Sequence, residues 1–126
     1  MRVSPLHIAP EDWMSQTIFR ADVASILAQW QTGSLTNAQV HDWATDRYAV
    51  SAWDAEDGAV NEVLACLDTM DMNLVTVEDA AVLLAALDEK TAEGAAQEIE
   101  AHHDTVDLVA RRRELVDDPL YSRFCI

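Results

Sequence analysis

Apolar residues recur every three or four positions through most of this chain, and the densest run lies in its middle. Across 61–88 the sequence reads NEVLACLDTMDMNLVTVEDAAVLLAALD. Val60, Val63, Leu64, Leu67 and Met70 line one face of a predicted helix, the spacing an α-helix imposes. That helix is expected to stop near Asn73, a residue suited to a left-handed turn. Thr76 with Asp79 three residues on then resembles a capping box, with aspartate in the usual Glu/Gln position. The second helix of the pair, AAVLLAAL, carries an expected core stripe of Val77, Ala80, Ala81, Leu84 and Leu87. Val82 and Leu83 widen that stripe beyond one face, as in a helix surrounded by neighbours. This helical hairpin is the expected centre of the molecule.

The flanking segments read as further helices. Residues 1–9 are expected to be irregular. Pro10, Glu11 and Asp12 suit a helix start, and Trp13, Ile18, Phe19, Val23, Ile26, Leu27 and Trp30 continue one amphipathic pattern to Gly33. Thr36 and Gln39 form a full capping box, stapled by Leu35 and Val40. The helix they open turns Val40, Trp43, Ala44 and Tyr48 or Val50 inward, and Gln39, Asp42 and Asp46 outward. SAWDAEDG (51–58) is a break, with Ser51 or Asp54 as the expected cap of the next helix. KTAEGAAQ reads as a turn, followed by one final helix over 95–116. On that helix Ile99, Val106, Val109 and Val116 form the apolar side, ending before Pro119. Leu120, Tyr121 and Phe124 make the tail, 117–126, apolar enough to dock. The pattern predicts a single all-α domain over 1–126, a bundle of about five helices.

Composition agrees: 126 residues contain three glycines and three prolines, which favours helix over sheet. Charge adds more. Eight basic and 23 acidic side chains give a net charge of −15. Such a field repels nucleic acid and anionic membranes and steers basic partners. No apolar run approaches the ~18 residues of a membrane span, and the N-terminus lacks a signal-peptide core, so a cytoplasmic location is expected. Cys66 and Cys125 have no metal-site or disulfide spacing and are expected to be reduced thiols.

No P-loop, dinucleotide fingerprint or nucleophile elbow is present, and no cofactor is expected. Asp42/Asp46 and Glu100/Asp104 are carboxylate pairs one turn apart, which arise freely in so acidic a chain. Glu98 and His102, also one turn apart, are the best metal-ligand pair, although the same spacing is common on charged helices. With His103 they define the enzymatic alternative, a metal-assisted activity. Trp13, Trp30 and Trp43 fall on apolar stripes and are expected in the core; Trp53 falls in the acidic break, where it is expected either to plug the loop against the body or to anchor an interface. Between Asp42 and Asp79 there are ten acids and one base, Arg47. Acids near helix C-termini, such as Asp68, Asp71, Asp88 and Glu89, oppose the helix dipole at ~0.3–1 kcal/mol each. A negative patch is therefore expected to receive a basic protein, through Asp42, Asp46, Asp54, Glu56, Asp57 and Glu62, with Trp53 as an apolar anchor. Arg111, Arg112 and Arg113 are expected to pair with the chain's own acids or with a second copy in a homodimer.

WQTGSLTNAQVHDWA (30–44), NEVLACLDTMDMNLVTVED (61–79) and ARRRELVDDPLYSRFC (110–125) resemble a group of small, uncharacterised bacterial all-helical proteins. That resemblance implies a helical fold and a bacterial origin, and no chemistry. In size, charge and helix content the chain is also similar to acidic immunity proteins that neutralise basic nuclease toxins. That likeness implies binding to a basic toxin as the expected function. A homo-oligomeric regulatory or structural role is the alternative.

Overall fold

The computed structural model describes residues 16–48 and 53–126. The expectations for 1–9, for a helix start at Pro10, and for Trp13, Val50 and Ser51 lie outside those residues. The described chain runs β1 (Gln16–Ile18), α1 (Arg20–Gln31), α2 (Asn37–Tyr48), β2 (Trp53–Ala55), α3 (Gly58–Asp68), a 3₁₀ turn at Val77–Asp79, α4 (Ala80–Leu87), α5 (Ala92–His103), α6 (Leu108–Leu115) and a 3₁₀ turn at Ser122–Phe124. The fold is predominantly helical. Among the described residues it has six helices, in keeping with the expected all-α bundle of about five, and one small two-stranded sheet.

The central hairpin stands where the hydrophobic pattern puts it. Val60, Val63, Leu64, Leu67 and Met70 are each no more than 1% exposed. α3 packs chiefly against α2 and α5, and α4 against α5 and α1. Asp57, rather than Ser51 or Asp54, caps α3: its Oδ1 accepts from the Val60 N–H at 3.1 Å. The turn after α3 takes its left-handed residue at Leu74 (φ 55°) rather than at Asn73. The capping box at Thr76 is formed: the Thr76 N–H donates to Asp79 Oδ2 at 2.8 Å, and Thr76 Oγ1 accepts from Glu78 N–H.

The inward face of α4 is rotated from the expected stripe. Ala80, Leu83, Ala86 and Leu87 are buried, whereas Ala81 is exposed and Val77 is 39% exposed. The cause is the 3₁₀ turn at Val77–Asp79. Its winding of three residues per turn places Val77 out of phase with the α-helix that follows.

Two other expectations are corrected. The first amphipathic helix does not run through 16–18, which pair in parallel with β2 in the register Gln16↔Trp53, Thr17↔Asp54, Ile18↔Ala55. Thr17 and Ile18 are β-branched and favour extended backbone. The Asp22 carboxylate accepts from the Phe19 N–H at 3.1 Å and so starts α1 late. Its end is as expected, with Gly33 at φ 83° beyond the Thr32 cap.

The final helix over 95–116 is two helices. Thr91 caps α5 by accepting from Gly94 N–H, inside the segment expected to be a turn. Asp107 caps α6 by accepting from Ala110 N–H at 3.0 Å. The break re-phases the second helix. Val109 and Val116, expected on the apolar side, are 55% and 47% exposed, and Arg111 faces the core instead. The tail docks: Tyr121 is fully buried, and Leu120 and Phe124 pack against the core.

Candidate functional site

β1 and β2 bring the break after α2 alongside the start of α1, and a cleft of about 330 Å³ opens there. Among the described residues it is lined by Ile18, Asp22, Ser25, Ile26, Trp43, Arg47 and Trp53. Arg47 lies one helical turn beyond Trp43, so its side chain can fold back over the indole. Its Nη1 donates to the Trp43 carbonyl at 3.0 Å. The guanidinium carbon sits 4.4 Å from the Trp43 ring centroid and 5.2 Å from that of Trp53. Both distances fall within cation–π range. Arg47, the lone base of the acidic segment, thus lies in cation–π range of two indoles and makes no ion pair among the described residues. Trp53 and Trp43 are half-buried walls of this cleft.

The acids expected to meet a partner divide into two groups. Asp42 and Asp46 are exposed, one turn apart on α2, and neither has a cationic partner among the described residues. Asp54 is exposed on β2 and Glu62 is half-buried on α3. Glu56 and Asp57 are engaged internally by Arg20. The Arg20 N–H donates to Glu56 Oε1 at 2.8 Å, its Nη2 donates to Asp57 Oδ2, and its Nε donates to the Leu87 carbonyl at 2.9 Å. Partial burial pushes the Asp57 carboxyl up, but the bond from Val60 N–H and the Arg20 guanidinium outweigh it and hold it below the usual carboxylate range. Arg20 therefore ties the start of α1 to the start of α3 and the end of α4.

A second polar cluster lies inside the protein. Arg111 grips Asp79 with two bonds, Nη1 to Oδ2 at 2.6 Å and Nη2 to Oδ1 at 2.9 Å. Arg111 Nη1 also donates to the Leu74 carbonyl at 3.0 Å, and His102 Nε2 donates to Asp79 Oδ1 at 2.6 Å. Burial raises the Asp79 carboxyl, yet Arg111, the Thr76 N–H and His102 together bring it below its ordinary value. Tyr121 completes the cluster by donating to the Val75 carbonyl at 2.6 Å. Arg111 of α6, His102 of α5 and Tyr121 of the tail thus all bond to the turn before α4. Of the arginine run, then, Arg111 pairs with the chain's own acid, while Arg112 and Arg113 are exposed and unpaired among the described residues.

The enzymatic candidates are placed as follows. Glu98 and His102 line one open groove together with Glu89 and Gln97. Glu89 and Glu98 share a hydrogen bond that raises the Glu89 carboxyl, helped by slight desolvation and by the charges of Glu98 and Asp88. No group of three or more His, Cys, Asp or Glu side chains is arranged to hold a metal among the described residues. Burial pushes the Cys66 thiol up to about 12, with the charges of Asp79 and Glu62 adding to the effect, so it is not a thiolate nucleophile.

Two functional features escaped sequence reasoning. The Trp43–Arg47 pairing had a signal, an i, i+4 aromatic–cation spacing, but its closure by Trp53 depends on a strand pairing with no local signature. Pairing of the arginine run with the chain's own acids was one expectation, but nothing local singled out Arg111 or its partner Asp79, 32 positions away. No family model, no curated protein and no solved structure matches this chain.

Proposed function

We propose that this protein acts by binding, and that its partner is a basic protein received on the face formed by α2 and β2. The observation that carries this reading is the pair Asp42 and Asp46, two exposed carboxylates one turn apart with no cation opposite them among the described residues. Like charges at that spacing cost a helix ~0.2–0.5 kcal/mol, and no cation among the described residues pairs with either to offset it. Asp54 adds a third exposed carboxylate on the adjoining strand. Arginine or lysine side chains of a partner supply a countercharge to Asp42 and Asp46. The net charge of −15 then speeds encounter from a distance. An immunity protein or inhibitor covering a basic toxin is the form this takes most directly.

The test is capture of partners from the source cell on immobilised protein at low salt. Wild type is compared with an Asp42→Asn/Asp46→Asn/Asp54→Asn variant. A basic protein retained in stoichiometric amount by wild type and lost by the variant supports the reading. Identical retention by both sinks it.

A second reading rests on α6. Val109, Arg112, Arg113 and Val116 share its outer face, opposite Arg111, and all four are exposed. An apolar and cationic strip on so acidic a protein suits a homo-oligomeric role, with the acids of another copy laid against it. Sedimentation of wild type and Arg112→Glu tests this, and a monomer in both removes it.

A further inference from the structure

We propose that the cleft between Trp43 and Trp53 is a binding site for a small monocarboxylate with an aromatic body, anchored by Arg47. A guanidinium carries five N–H donors. One of those on Arg47 goes to the Trp43 carbonyl, and among the described residues no acceptor takes the others. The guanidinium carbon lies 4.4 and 5.2 Å from the two indole centroids, and these contacts, together with the Trp43 carbonyl bond, restrain the fork in advance of any ligand. A preset fork is what bidentate carboxylate recognition needs. The remaining walls supply the rest of the selectivity. Ile18, Ile26 and the indole faces offer apolar contact, and a cleft of about 330 Å³ lies at the small-ligand end of the usual range.

Asp22 decides the charge of the ligand. It lines the same cleft, with one carboxylate oxygen engaged by the Phe19 N–H. A second negative charge on the ligand would face Asp22 and the field of the whole molecule. The site therefore favours a monoanion over a phosphate. This inference is independent of the basic-partner reading, and salt separates the two. Screening relieves repulsion between a free carboxylate and the protein's net charge more than it weakens the close contact with Arg47. Carboxylate affinity therefore holds or rises with salt, whereas association with a basic protein weakens.

The experiment titrates the intact protein with phenylacetate, phenylacetamide and phenyl phosphate, followed by the indole N–H resonances of Trp43 and Trp53. Phenylacetate is expected to shift both resonances saturably. Phenylacetamide should bind at least about tenfold more weakly, the loss that follows removal of a charge-assisted hydrogen bond, and phenyl phosphate should also bind more weakly than phenylacetate. Arg47→Gln should lose phenylacetate binding while its thermal melt reports whether it is folded. Equal binding of the acid and the amide to wild type overturns the proposal whatever Arg47→Gln does. So does the absence of a saturable shift with phenylacetate.

Discussion

Replacing Arg111 with methionine keeps the long side-chain stem and removes the charge, and it should be among the most damaging single changes in the protein. Asp79 is 4% exposed and accepts four bonds: two from Arg111, at 2.6 and 2.9 Å, one from Thr76 N–H at 2.8 Å, and one from His102 at 2.6 Å. The substitution deletes two of them and leaves a carboxylate stranded in the core. It also frees the Leu74 carbonyl, in a turn whose non-glycine residue sits at φ 55°. Removing one partner of a buried ion pair costs about 3–5 kcal/mol. That is a large share of the roughly 5–15 kcal/mol that holds a domain folded. For a chain of this size it corresponds to a fall in Tm of roughly 10–20 °C. Urea melts at neutral pH measure it, provided the slope m is unchanged. The Asp79→Leu/Arg111→Met double variant should lose less than the sum of the two singles by ~2 kcal/mol or more. Acid pH supplies a further check. The folded carboxyl of Asp79 lies below its ordinary value, so its stabilisation is present above the unfolded pKa of about 3.9 and lost as pH falls through the folded pKa. In Arg111→Met that lowering shrinks, and acid unfolding should begin at higher pH. A loss under about 1 kcal/mol, or strict additivity in the cycle, would refute the reasoning.

Other perturbations follow from the same contacts. Gly58→Ala would put a methyl 2.7 Å from the Ala92 backbone nitrogen and 2.9 Å from its Cβ. The contact with α5 must open, at about 1–3 kcal/mol, which a thermal melt resolves. Tyr121→Phe leaves the buried Val75 carbonyl without its donor and should cost about 1–3 kcal/mol in the same assay. The Cys66 thiol, at about 12, should react with iodoacetamide at pH 8 roughly a thousandfold more slowly than an ordinary cysteine, since only the thiolate attacks. Mass mapping after timed alkylation reads this out, and rapid labelling of Cys66 would contradict its burial.

The elements legible in the sequence were those whose signals are local. The Thr36–Gln39 box is formed, with Gln39 N–H donating to Thr36 Oγ1 at 3.2 Å and Thr36 N–H to Gln39 Oε1 at 2.9 Å. The α3 stripe and the Thr76–Asp79 cap were equally local. The features that escaped were phase errors and distant pairings. A 3₁₀ turn rotated α4. The cap at Asp107 split an apolar pattern that reads as continuous from Ile99 to Val116, and so turned Arg111 inward. Asp71 and Asp79, counted by sequence among the acids of a negative patch, are buried, and Asp79 is neutralised by an arginine 32 positions away. Bulk charge therefore overstated the outward patch, and only tertiary structure separates Asp42 and Asp46 from the acids turned inward. Of the candidate site, the walls Trp43 and Trp53 were visible as residues but not as a pair.

The proposed function rests on Asp42 and Asp46 of α2, exposed carboxylates without a cationic partner among the described residues, drawing in a basic protein. Its most direct measurement is the association rate of the captured partner, by stopped flow, at low and high ionic strength. The account predicts a fall of about tenfold or more with salt for wild type. The fall should be clearly smaller for Asp42→Asn/Asp46→Asn/Asp54→Asn. An association rate that is the same at both salt concentrations and in both proteins would contradict it.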